Sequence, residues 1–187
     1  MNNFAPSTNG IPKPSKNKII KGKEFWGPIL WSLIHLLAME LKFVDIKYYI
    51  TLLNTLTYLL PCEDCKNHLS MTLAIISPNK YIKEQKNNSN KCGNTTAFLY
   101  SYALHDVVNS RLGKESVDYL KIYNFYFGAC KEPKMWGPIV WASIHILAAT
   151  LRQENADAFD LFLDCLVHLL PSNESQTLFS DSLKVLK

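Results

Sequence analysis

Leu59-Leu60-Pro61-Cys62-Glu63-Asp64-Cys65 brings together the end of one helix, the start of another and two thiols. The run upstream, 45–60, has a helical pattern with Asp45 as its N-cap. Pro61 ends it, because the fixed φ of proline suits the first turn of a following helix and its missing N–H costs nothing there. Cys62 therefore opens a third helix, which should stop before Pro78. Thiols at a helix N-terminus feel the positive end of the dipole, which predicts a lowered pKa and a populated thiolate. That geometry suits thiol–disulfide exchange.

Two other uses of a Cys-x-x-Cys are weaker. A zinc site usually needs four ligands, and Cys92, Cys130 and five scattered histidines offer no second pair at finger or ribbon spacing. No metal site is expected. A bridge between residues three apart closes a very short loop and stabilises little by loop entropy. Redox use is the stronger reading.

Composition sets the frame. The 187 residues are 48% hydrophobic with only seven glycines, which suits one compact domain plus a smaller one. No 18-residue apolar stretch is free of charge, and residues 1–23 lack the apolar core of a signal peptide. The expectation is a soluble cytoplasmic protein without a membrane span, in which a Cys-x-x-Cys points to catalytic redox. Basic residues dominate 1–134 and acidic ones 135–187, but the lysines cluster in a tail and a loop, and no nucleic-acid motif accompanies them. Nucleic acid is not an expected partner.

Working outward, residues 1–22 are rich in Pro and Lys without periodicity and read as a disordered tail. The stretch from Phe25 to Ala38 is apolar nearly all round, with Pro28 at its start, so this first helix is buried. Trp31 and His35 share one face of it. Such a histidine is either a satisfied core residue or a ligand, and an aromatic, a hydrogen-bonder and the small Ala38 together can line a flat cofactor. Residues 79–94 read as a loop. A fourth helix over 95–112 places His105 and Asn109 one turn apart, with Gly113 as the C-cap signal. A short fifth helix, 116–127, is closed by Gly128. Strand patterns are absent, so the fold is all-α: a four-helix bundle with an extra short helix.

Taken in order, Trp-x-x-x-His, a proline-preceded Cys-x-x-Cys, and His-x-x-x-Asn followed by Leu-x-Lys resemble the Erv/ALR family of FAD-linked sulfhydryl oxidases over about residues 23–130. The Trp26-Gly27-Pro28 opening looks most like members from large cytoplasmic DNA viruses. The resemblance implies FAD inside the bundle, held by Trp31, His35, Tyr100, His105, Asn109 and Lys114. It makes Cys65 the flavin-proximal thiol and Cys62 the one that meets substrate. The chain departs from the family at Tyr100 (often Trp), Asp106 (Asn), Pro28 (basic) and Tyr102, which replaces a cysteine of a structural disulfide.

An internal repeat appears at an offset of 110 residues. Positions 135–151 match 25–41 at ten of seventeen residues, and Leu169-Leu170-Pro171-Ser172-Asn173-Glu174-Ser175 repeats the cysteine segment with both cysteines replaced by serine. No counterpart of the His105 helix follows. The expected organisation is a tail (1–22), a sulfhydryl oxidase domain (23–132) and a degenerate, non-catalytic helical half-repeat (133–187). Trp141 and His145 read as core residues and Cys165 as an inert buried thiol.

What the resemblance implies is an oxidase of protein dithiols that passes electrons through Cys62, Cys65 and FAD to oxygen, giving hydrogen peroxide. Substrates of that class are a thioredoxin-like carrier or a viral structural protein; a viral member works in the host cytoplasm or the virion. Family members usually dimerise through the first two helices, so a homodimer or an intramolecular pseudo-dimer is expected. The rival reading is a non-catalytic scaffold that keeps the fold, and a third is a flavin-free dithiol carrier. Cys92 and Cys130 read either as a bridge or shuttle pair or as unpaired surface thiols.

Overall fold

One helix that is apolar on every side obliges the rest of the chain to wrap it. In the computed structural model, which describes residues 22–82 and 93–186, that helix is α1 (Lys23–Met39). Leu33, Leu36 and Leu37 are fully buried along it, and Trp26, Leu30 and Met39 are buried. A 3-10 turn (Phe43–Asp45) leads to α2 (Ile46–Leu59) and α3 (Glu63–Ile75). Then come α4 (Gly93–Arg111), α5 (Tyr119–Ala129), α6 (Pro133–Ala149), a second 3-10 turn (Gln153–Asn155), α7 (Ala156–Leu169) and α8 (Asn173–Leu186). No strand occurs among the described residues, and the fold is all-α.

The helix ends show which local signals prevailed. α1 starts at Lys23, so Pro28 lies inside it rather than at its start. The ring is tolerated because it faces solvent near the exposed Glu24, whose carbonyl is the one left without an i+4 donor. Asp45 holds the N-cap position of α2 but makes no capping bond, since its backbone is helical (φ −96°, ψ 0°) as the last residue of the 3-10 turn. Residues 79–82, expected in a loop, are helical. The tail 1–21 and Cys92 lie outside the described residues. α5 begins later than expected because Asp118 caps it, accepting the Lys121 N–H at 2.8 Å, and Gly128 lies within it. Gly113 does end its helix: at φ 66° it donates to the Ser110 carbonyl, while the Lys114 N–H reaches the Asn109 carbonyl at 2.9 Å. This is the Schellman pattern, which needs a residue at ease with positive φ.

The 110-residue offset reappears as geometry. α6, the second 3-10 turn and α7 have the bounds of α1, the first turn and α2 shifted by 110, and α8 starts at the position equivalent to the start of α3. α1 packs against α6 and α2 against α7, so each helix meets its own counterpart, as across a two-fold interface. Leu52, Leu53 and Leu56 of α2 and Phe162, Cys165 and Leu166 of α7 belong to one continuous core. α4 and α5 cover the other side of α1. Cys165 is buried as expected. Trp141 and His145 are not: Trp141 is 55% exposed and His145 is exposed, because among the described residues no helix covers their face of α6 as α4 covers α1.

A shared core makes the two halves interdependent. Phe162→Ala removes a fully buried ring, at a cost of about 3–5 kcal/mol. Urea unfolding followed by tryptophan fluorescence and by far-UV circular dichroism should shift to lower urea as one coincident transition. Two separated transitions would show that the halves have independent cores.

Candidate functional site

The dithiol sits where two helices meet at Pro61. Cys62 is the N-cap of α3, with extended backbone (φ −131°, ψ 121°), and its Sγ accepts the Cys65 N–H at 3.3 Å. Both cysteines are half-buried. The helix N-terminus is thus aimed at Cys62. Cys65, one turn in, behaves opposite to the expectation of a lowered pKa: burial first, then the adjacent Cys62 sulfur, push its thiol up to about 12. Lys23 and Arg111 pull the other way without prevailing. A thiol that receives no helix N–H and faces another sulfur gains little from the dipole.

A ring cluster lies between α1 and α4. The Trp31 indole stacks on the His105 imidazole with centroids 4.1 Å apart and planes 4° from parallel. His35 Nε2 meets His105 Nδ1 at 2.9 Å, and His35 Nδ1 meets the Ser101 hydroxyl at 2.9 Å. Because that hydroxyl donates to the Phe98 carbonyl at 2.7 Å, it accepts from His35. His35 Nδ1 therefore carries the proton and Nε2 accepts from His105 Nδ1–H, which leaves His105 Nε2 an acceptor. A second proton on His35 has no acceptor waiting for it, and both rings are kept neutral. Burial lowers the pKa of each: His35 falls well below 6.5, helped by His105, and His105 falls to about 4, helped by the charge of Lys114.

The other expected residues divide. Asn109 is buried one turn beyond His105, and its carbonyl receives the Lys114 N–H, which fixes where that lysine leaves the helix. Tyr100 is buried too, but its hydroxyl donates to the Ile76 carbonyl at 2.9 Å and its ring meets Tyr81 edge-on, so it ties α4 to the end of α3. Tyr102 donates to the Val117 carbonyl at 2.8 Å, holding the α4–α5 loop. Sequence reasoning missed Ser101, and also Tyr126, which donates to Ser32 at 3.0 Å with its ring 5.2 Å from His35. It missed Lys23 and Arg111 as well. No periodicity identifies a residue whose part depends on where two helix ends converge. Cys130 is no surface thiol: it is buried and donates to Glu40 at 3.1 Å, and burial with that carboxylate pushes it up to about 12.

The all-α bundle thus holds a dithiol at the start of α3 and a stacked pair of neutral rings between α1 and α4. The sequence pattern of the Erv1/Alr family matches residues 28–127, more than half of the chain, and the chain belongs to that family. Its members are in general FAD-linked sulfhydryl oxidases. No curated protein and no solved structure matches the chain. No described helix is long and apolar enough to cross a membrane, and the described residues contain no cluster of metal-ligating side chains.

Neutral buried imidazoles make stability depend on pH. The unfolded chain protonates both histidines below about pH 6.5 while the folded chain does not, so stability is fully present above that pH and is lost as pH falls towards 4. His105 alone accounts for on the order of 3 kcal/mol of this. Thermal midpoints measured from pH 7 to 4.5 should fall less steeply for His105→Gln than for the unsubstituted chain. Equal slopes would show that His105 is not held neutral.

Proposed function

We propose that residues 23–132 form a FAD-dependent thiol oxidase that makes disulfides in protein substrates, and that 133–187 is a non-catalytic repeat taking the place of a dimer partner. The observation that carries this reading is the pairing, within the family-matched stretch, of a capped dithiol with an indole stacked on a buried neutral imidazole pair. A scaffold needs neither. The donor set suits FAD: Trp31 and His105 present flat rings, Asn109 an amide, and Lys23, Arg111 and Lys114 the cations a diphosphate needs.

In the oxidised protein, a substrate thiolate attacks the Cys62 sulfur of a Cys62–Cys65 disulfide. The S–S bond breaks, substrate and Cys62 become joined, and Cys65 leaves as a thiolate that takes up a proton. A second substrate thiolate then displaces Cys62, releasing the product disulfide and leaving the dithiol. Bound FAD would supply the two-electron acceptor that restores the disulfide and passes the electrons to oxygen as hydrogen peroxide. The chain's own part is to hold its rings neutral and its sulfurs half-buried beside that group.

Cys65→Ser should leave the purified protein yellow and abolish oxygen consumption with dithiothreitol; continued consumption would remove Cys65 from the electron path. Truncation after Lys134 bares the faces of α1 and α2 that α6 and α7 cover. Sizing chromatography should then show a homodimer or aggregate, because a buried Leu or Phe contributes on the order of 1.5–3 kcal/mol. A flavin-loaded monomer as heat-stable as the full chain would show that the second half is a free appendage.

A further inference from the structure

The direction of the hydrogen bonds in the ring cluster is decided at one hydroxyl. Ser101 is fully buried on α4, and its O–H is donated at 2.7 Å to the Phe98 carbonyl, a group that can only accept. Towards His35 Nδ1, 2.9 Å away, the same oxygen is therefore an acceptor. His35 must place its proton on that nitrogen, which leaves Nε2 bare to receive His105 Nδ1–H at 2.9 Å. One serine thus fixes the tautomer of two imidazoles. His35 stands on α1, and Ser101 and His105 stand on α4, so the seam where α1 meets α6 contributes no member of the sequence. In the second half His145, at the position equivalent to His35, is exposed.

That fixed direction limits what His105 can meet. With its proton on Nδ1, the ring carries only a lone pair on Nε2, so any hydrogen-bonding group that lies against Nε2 must donate. Phosphate oxygens and ring carbonyls accept and cannot serve. N–H, amino and hydroxyl groups can. The Trp31 indole lies on one face of the same imidazole with planes 4° from parallel, so the ring is held in orientation as well as in tautomer. A diphosphate is left to the cations at Lys23, Arg111 and Lys114, and the imidazole edge to a heterocycle or a sugar.

We propose that Ser101 is a positioning residue for the cofactor: by holding the His35–His105 pair in this order, it makes His105 Nε2 an acceptor for an N–H or O–H donor on the ring or sugar portions of FAD. The identity of the ligand rests on the thiol-oxidase reading; the order of the tautomers does not. Without the hydroxyl, His35 Nδ1–H would be buried with no acceptor, whereas an unmet lone pair is the less costly fault. Both rings then move their proton to Nε2. His35 Nε2–H donates to His105 Nδ1, and His105 turns an N–H where it had offered a lone pair. Two donors would meet, and binding weakens.

Proton positions can be read directly. In the full-length protein labelled with nitrogen-15 histidine, two-bond proton–nitrogen correlations near neutral pH separate protonated from bare ring nitrogens, and His35 and His105 are both expected as Nδ1–H tautomers. In Ser101→Ala both should become Nε2–H, and the Kd for FAD, titrated into the full-length protein and followed by flavin fluorescence, should rise at least about fivefold. Ser101→Thr, which keeps the hydroxyl, should keep both the tautomers and the affinity. An Nε2–H signal from either ring in the unsubstituted chain overturns the assignment, so a folding failure of Ser101→Ala does not protect it. Reversed tautomers with unchanged affinity for FAD would overturn the positioning role. If the unsubstituted chain binds no FAD, the oxidase reading falls together with the cofactor role, whereas the proton positions still decide the order of the tautomers.

Discussion

Everything in this molecule depends on α1 being buried on two sides at once. Its leucines, isoleucines and tryptophans face α4 and α5 on one side and α6 on the other. An apolar helix of seventeen residues cannot hide against a single neighbour, because one partner covers only a stripe. The ring cluster and the seam are therefore opposite faces of the same helix. Interiors packed to crystalline density transmit displacement, so the position of Trp31 and His35 is set partly by how well the second half fits against the far side.

Within that apolar setting the polar chain Ser101–His35–His105 is tolerated because every member has a partner; no buried side-chain nitrogen or oxygen among the described residues lacks one. The chain works only with one proton per imidazole. A hydrogen-bond sequence that ends at a backbone carbonyl, that of Phe98, has its direction set by the acceptor that cannot donate. Neutrality of the histidines thus follows from the wiring as well as from burial. A ring cluster that stays uncharged across the neutral range keeps its flat faces available for stacking.

Much of the architecture was legible in the residues. The two cysteines, the i, i+4 pairs and Gly113 each state a local rule, and the elements stand where those rules place them, whereas Pro61 precedes the N-cap of α3 and is not in its first turn. The failures were of another kind. Asp45 looks like a cap but lies in a 3-10 turn, and Pro28 looks like a start but lies a turn inside. Trp141 and His145 read as core because half of a flavin pocket is missing around them, yet burial belongs to the neighbours and not to the residue. The acidity expected at Cys65 failed for the same reason: a dipole argument assigns charge stabilisation to a helix end, while the actual N–H points at the other sulfur. Lys23 and Arg111 come close to Cys65 only because three helix ends converge there, which no single stretch of sequence encodes.

The two halves together separate what the fold needs from what the chemistry needs. At the start of α8, Ser172 accepts the Ser175 N–H at 3.1 Å, as Cys62 accepts that of Cys65 at the start of α3. Serine is among the preferred N-caps and thiol sulfur is the weaker acceptor, so capping gives no reason to place cysteine at 62. The half that keeps only the shape uses serines; its Trp141 and His145 lie at the surface, and it buries the faces of α1 and α2. The half that keeps the cysteines also keeps α4, the neutral imidazole pair and the cations at the converging helix ends. The thiols at 62 and 65 are thus dispensable to the helix start, and they stand in the half whose ring cluster is complete.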